Sequence, residues 1–247
     1  METYFLTDTG KVRTHNEDSV TILKNTSGEY LLAVADGMGG HKAGEVASQM
    51  AISHLTDKFN KNDSIGTNAD AINWIRNIVD EINQSIFEYT AIHEESKGMG
   101  TTLVMAIYTK EYLLFANIGD SSGFVLKNGK LYKVTHDHTL VNLLVKSGEL
   151  TEEEALNHPR KNILMRALGA NNPISADIFE VDHDIDGIIL SSDGLTSMLN
   201  IDQIEKVLVN ENNSLEEKVI KLVRKSNIRG GTDNISIACL FNEEGAK

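Results

Sequence analysis

Apolar runs of strand length along this chain repeatedly stop or start at an aspartate flanked by glycine, serine or asparagine. Asp36 follows the run at 30–35 in DGMGG, Asp120 follows 113–118 in GDSS, Asp193 follows 188–190 in SSDGL, and Asp233 precedes 235–240 in GGTDN. If the last strand lies antiparallel to its neighbours, its start and their ends share one edge of a sheet. Four carboxylates would then meet there. Oxygen donors without histidine or thiolate suit magnesium or manganese better than zinc or copper, so chemistry on phosphate is expected. Taken singly, an aspartate beside a turn residue at a strand edge is ordinary turn punctuation; four such aspartates in one chain, with the partners described below, argue for a carboxylate cage.

The 247 residues, 40% hydrophobic and 24% charged, suffice for one large domain with a buried core. With 23 Lys and Arg against 36 Asp and Glu, the net charge of −13 is ill suited to coating nucleic acid or anionic lipid. A phosphate substrate approaching such a surface needs a local cation. The one cysteine, Cys239, sits in the apolar run ISIACLF and reads as a buried small hydrophobe in a reducing, cytoplasmic setting. No signal-like leader and no run long enough to span a bilayer is evident, and a monomer is expected.

Secondary-structure signals run in blocks. A strand at 29–35 precedes a helix marked by Ala47, Met50, Ala51, Leu55 and Phe59; a polar stretch at 60–68 separates it from a longer helix marked by Ile72, Ile75, Ile78, Val79, Ile82 and Ile86. These two helices are expected side by side on a sheet. Runs at 101–108, 112–118, 123–127 and 130–135 read as an antiparallel meander, closed by the hairpin signal Asn128-Gly129. From Thr139 a short helix runs to Gly148, and Thr151 with Glu154 forms a capping box opening another. The basic turn HPRK follows, and residues 139–172 read as a small flap beside the acidic edge. Strands at 174–181 and 187–190, a helix from Asp202, a helix capped by Ser214 with Glu217, and the final strand complete the chain.

Two divalent ions about 3.5 to 4 Å apart can acidify a shared water and clamp an in-line displacement at phosphorus, and a single carboxylate can bridge them. Asp36 is the candidate bridge, at a point where the chain is expected to turn abruptly and where Gly37, Gly39 and Gly40 let backbone approach a ligand. Asp193 and Asp233 would complete the shell of one ion. An N-terminal strand can present Arg13 and Asp18 together, and the guanidinium fork of Arg13 matches phosphate oxygens.

The ordered set RTHNED, DGMGGHKAG, GMGTT, GDS, SSDGL and GGTDN, spread from Arg13 to Asn234, resembles the metal-dependent protein serine/threonine phosphatases of type 2C, above all the compact bacterial members that act opposite membrane-anchored serine/threonine kinases. The resemblance implies an α+β fold, a four-layer αββα sandwich of two antiparallel sheets covered by helix pairs. It implies hydrolysis of phosphoserine and phosphothreonine in phosphorylated proteins by metal-activated water, without a phosphoenzyme. By the same resemblance Asp36 bridges two Mn2+ or Mg2+ ions, Gly37 supplies a carbonyl, Asp193 and Asp233 bind the first ion, and Asp18 orders water around the second. Asp120, with Asp193, matches a third, weaker site, and residues 139–172 match the flap that touches substrate.

The chain departs from the family pattern twice. Many eukaryotic relatives read DGHGG, with that histidine proposed as general acid; here the position is Met38, which cannot donate a proton, so His41, the nearest titratable substitute, or metal-bound water is left to serve. Ser122 stands where bacterial relatives usually carry arginine. Two other readings stay open at this point: a catalytically weak module that binds phosphoproteins, and a metal-dependent nucleotide hydrolase, against which the lack of a GxxxxGK[ST] loop argues.

Overall fold

The computed structural model describes residues 1–39 and 43–242. Strands β1 (Glu2–Asp8), β2 (Asp18–Lys24) and β3 (Tyr30–Met38) lead into helices α1 (Ala43–Asn60) and α2 (Asn68–Ile92). The short β4 (Gly100–Thr101) then precedes β5 (Leu103–Tyr108), β6 (Leu113–Ile118), β7 (Ser122–Lys127) and β8 (Lys130–Lys133). Helices α3 (Leu140–Lys146) and α4 (Glu152–Leu156) come next, then β9 (Asp177–Val181), β10 (Gly187–Ser191), α5 (Asp193–Thr196), α6 (Ile201–Leu208), α7 (Leu215–Ile228) and β11 (Ile235–Phe241).

Two antiparallel sheets form, one in the order β1-β11-β10-β7-β8 and the other in the order β2-β3-β5-β6-β9 with β4 added beside β3. Strand periodicity sends alternate side chains to opposite faces. Leu31, Ala33 and Ala35 of β3 therefore pack with Ala47, Leu55, Phe59, Ile75 and Ile82 of α1 and α2. Leu32 and Val34 face inward, where they meet Phe115, Ile188, Leu190 and Leu240 between the sheets. On the opposite side Ile235, Ile237 and Cys239 of β11 pack with Leu195, Ile204, Val219 and Leu222 of α5, α6 and α7. Both faces of the central strands are thus buried, which is why they read as continuous apolar runs rather than alternating ones. The result is the α+β, four-layer αββα sandwich expected from the sequence. No helix among the described residues is long and apolar enough to cross a membrane.

The caps follow the sequence closely. Thr151 with Glu154 and Ser214 with Glu217 form their capping boxes, and Thr67 with Asp70 adds one opening α2. Asn128 (φ 52°) and Gly129 (φ 72°) are both left-handed, the requirement of the tight hairpin turn between β7 and β8.

Four expectations are corrected. The runs at 101–135 are not one meander: β5 and β6 lie in one sheet, β7 and β8 in the other, and the chain crosses between them at Gly119 (φ 103°) and Asp120. A turn signal between apolar runs looks the same whether the next strand pairs in-plane or changes sheet. Asp36 does not end its strand. β3 continues to Met38 and changes partner, pairing with β5 as far as Val34 and with β4 at Gly37 and Met38. Arg13 and Asp18 do not share a strand, since Arg13 lies in the loop after β1 while Asp18 opens β2. Asp193 opens the short helix α5 rather than closing β10.

Candidate active site

β2 and β3 bring the first two carboxylates together, because their register sets Asp18 directly opposite Asp36. Like charges opposite one another destabilise a strand pair unless a cation lies between them. Asp36 is anchored through its backbone: its N–H donates to Thr102 Oγ1 at 2.9 Å, and its carbonyl accepts from the Thr102 N–H at 2.9 Å and Thr101 Oγ1 at 3.0 Å. Thr102 Oγ1 in turn lies 2.8 Å from Ser121 Oγ, next to Asp120. The GMGTT segment therefore fastens the Asp36 strand to the crossover that carries Asp120.

The other sheet supplies Asp193 and Asp233. Ser192, just before Asp193, donates through Oγ to Asp18 Oδ2 at 2.7 Å, and its Oγ accepts the Ser236 N–H at 2.9 Å, tying β10, β11 and β2 together. Asn234 serves the same end for the loop carrying Arg13: it accepts the Glu17 N–H at 2.8 Å and donates to the carbonyls of Thr9 and His15, each at 2.9 Å. Ser192 and Asn234 stand within the SSDGL and GGTDN motifs, but residue type alone assigns them no role. The signal was their place beside the aspartates.

The glycines of these motifs are close-contact points. A Cβ on Gly37 would lie 2.0 Å from the Gly44 carbonyl oxygen, at the start of α1, and one on Gly194 would lie 2.0 Å from that of Asn234. These contacts press α1 and α5 against the strands that carry the carboxylates.

A cleft of about 250 Å³ results, lined by Asp36, Asp120, Asp193 and Asp233 with Arg13, Glu17, Gly37 and Met38. Asp18 lies buried behind them. Burial, reinforced by the charges of Asp18, Asp193, Asp120 and Asp233, pushes the Asp36 carboxyl well above the usual carboxylate range. Burial first, then Asp193 and Asp137, raises Asp120 to about 7. Asp18 is raised to about 7 by burial against its serine hydrogen bonds, and Asp193 to about 6 by burial and the charge of Asp233. Arg13 donates to Asp233 Oδ2 at 2.7 Å, with its own side chain 47% exposed at the cleft mouth.

The donor set fits hard divalent ions. Asp18 Oδ1 and Asp193 Oδ1 are buried without a hydrogen-bond partner, a costly state for an oxygen that a cation would relieve. Among the described residues no three His, Cys, Asp or Glu side chains close on one ion position, so the fit rests on the oxygen-donor chemistry and on these two unpartnered oxygens. The structure gathers Asp18, Asp36, Gly37, Asp120, Asp193, Asp233 and Arg13 at one place; His41 lies outside the described residues. A second cavity, of about 710 Å³, opens from the same carboxylates, sharing Asp120, Asp193 and Asn162 and extending between α3 and α6.

Residues 10–226 match the family model described as protein phosphatase 2C. The chain is 42% identical to the serine/threonine phosphatase stp of Listeria welshimeri over 238 residues, covering 96% of this chain and 94% of that one. It is 38% identical to the protein phosphatase PhpP of Streptococcus pneumoniae across 100% of both chains. Among solved structures, the serine/threonine phosphatase of S. agalactiae superposes with a TM-score of 0.92 at 37% identity, covering 98% of this chain and 99% of that one. With the motifs in order and the match spanning nearly its full length, the chain belongs to the protein phosphatase 2C family.

Proposed function

We infer that this chain is a metal-dependent protein serine/threonine phosphatase that removes phosphate from phosphoserine and phosphothreonine in other proteins, opposing a serine/threonine kinase in bacterial signalling. The observation that carries the reading is the convergence of four aspartates on one cleft, with Asp18 buried behind them and a guanidinium at the mouth.

Asp36 would hold both of two core Mn2+ or Mg2+ ions, with the Gly37 carbonyl beside it; Asp193 and Asp233 would complete one shell, and Asp18 would order water in the other. Asp120 with Asp193 would serve a third, weaker site. Bound there, the ions would acidify the attacking water and offset charge on the phosphoryl oxygens. Arg13 orients the substrate phosphate, exchanging its contact with Asp233 for two phosphate oxygens. Met38 faces the cleft without a proton to give, so we assign protonation of the leaving alkoxide to His41. Residues 139–172 act as a flap over the second cavity and contact substrate protein. We place the protein in the cytoplasm as a monomer.

The deciding experiment compares a phosphothreonine peptide, a phosphotyrosine peptide and ATP, with and without manganese. Manganese-dependent turnover of the phosphothreonine peptide far above the other two is expected. No turnover would leave a phosphoprotein-binding module, and faster ATP hydrolysis would leave a nucleotide hydrolase. For the proton donor, His41→Ala is expected to slow the phosphopeptide much more than p-nitrophenyl phosphate, whose phenolate leaves without help; equal losses would remove His41 from the mechanism.

A further inference from the structure

Both backbone groups of Gly119, the residue before Asp120, are held by one histidine outside the cleft. The Gly119 N–H donates to His138 Nδ1 at 3.1 Å, and the Gly119 carbonyl accepts the His138 N–H at 2.8 Å. Because Nδ1 accepts, the ring proton must sit on Nε2. Nε2 lies 3.1 Å from Asp177 Oδ2, to which it donates, and 3.3 Å from Arg166 Nη1, whose protons go to Asp177 Oδ1 and the Ser175 carbonyl in this tautomer. Asp177 is itself fixed, opposite Asn117 in the β6–β9 register and bonded through Oδ1 to Arg166 Nη1 at 2.7 Å. The imidazole is 8% exposed. Burial, against the pull of Asp177, lowers its pKa and keeps it neutral. A protonated ring would turn a second N–H toward that of Gly119.

The same residue stands at the root of the 139–172 segment. Its carbonyl accepts the Met165 N–H at 2.8 Å, and Thr139 bridges to Leu164. His138 thus joins the crossover that carries Asp120 to the start of the segment beside the cleft and to its returning stretch at Met165.

We propose that His138 is a positioning residue for the phosphatase reaction: fixed by Asp177 as the neutral tautomer protonated on Nε2, it holds the Gly119 peptide and thereby aims the Asp120 carboxylate into the cleft. This rests on the reading of Asp120 as a support for a weakly held ion. Asn places an acceptor where Nδ1 stands, Gln places one where Nε2 stands, and Leu has neither, so His138→Asn, His138→Gln and His138→Leu separate acceptor position from bulk.

The test measures phosphopeptide turnover against manganese concentration, and amide exchange of the segment containing Gly119 in protein stripped with EDTA. In the Gln and Leu variants exchange is expected to quicken at least about tenfold, and the manganese needed for half-maximal rate to rise by about the same factor, while His138→Asn stays within about threefold of the parent. An Asn variant as impaired as Leu, or unchanged exchange and manganese response in folded Gln or Leu variants, would overturn the proposal. Should the Leu variant fail to fold, the Asn and Gln pair decides alone. Asp120→Ala run alongside separates the layers: full activity there removes Asp120 from the reaction and overturns the proposal with it, whereas loss there beside an unaltered His138→Gln overturns only the role of His138.

Discussion

Asp36 is the residue on which stability and activity pull in opposite directions. Its raised pKa means that the folded, metal-free protein keeps a proton there to higher pH than the unfolded chain does. The unfolded state binds fewer protons above the ordinary carboxylate pKa of about 4, so stability falls as pH rises from there toward the raised pKa of the folded state. Asp120 and Asp18, each raised to about 7, act in the same direction. In EDTA, the melting temperature is therefore expected to fall between pH 5 and 8. Asp36→Asn, which removes the charge, should raise stability at pH 8 by about 1–3 kcal/mol and the melting temperature by roughly 3–10 °C. The same substitution should lower kcat on the order of a thousandfold with manganese present; a thermally stabilised variant that stayed active would refute the metal-bridging role. Arg13 behaves differently. Its exposed pair with Asp233 contributes little to stability, about 0–1 kcal/mol, so Arg13→Ala should leave the melting temperature unchanged while raising KM for phosphopeptide about tenfold. Unchanged kinetics would return Arg13 to a plain surface ion pair.

At the scale of elements, the site depends on how tightly short segments approach. α5 meets the start of β11 at Gly194, where an added methyl would lie 2.0 Å from the Asn234 carbonyl oxygen. Gly194→Ala is therefore expected to cost about 2–3 kcal/mol and roughly 5–10 °C in melting temperature, and to weaken activity by shifting Asp193 against Asp233. Thermal melts and phosphopeptide kinetics of the purified variant check both; a neutral result would mean that α5 can slide without cost. The helices themselves were legible from apolar spacing, and their capping boxes from side-chain pairs three apart. The partner change of β3 at Asp36 was not legible, because a strand that swaps β5 for β4 keeps the same local backbone and the same apolar signature.

Across the whole molecule, the cleft joins two sheets, so ion binding and global folding share one free energy. Manganese at about a hundred times its dissociation constant should stabilise the folded protein by about 2.7 kcal/mol. At pH 8 this offsets the carboxylate repulsion; at pH 5.5, where protons already occupy Asp36, Asp18 and Asp120, the same ion should stabilise much less. Melts with and without manganese at the two pH values measure the difference, and equal stabilisation at both would detach these carboxylates from the ion site. The acidic motifs and the oxygen-donor chemistry are legible in the sequence because residue type and apolar periodicity are local properties that survive without coordinates, and the four-layer class follows from the resemblance those motifs carry. Tertiary packing sets Asp18 opposite Asp36, staples the loops around the cleft through Ser192 and Asn234, brings Arg13 to Asp233 across 220 residues of chain, and puts His138 against the peptide before Asp120. Those pairings follow from strand register and from where the chain crosses between sheets, and both are set by burying the two faces of the sandwich at once rather than by any short stretch of residues.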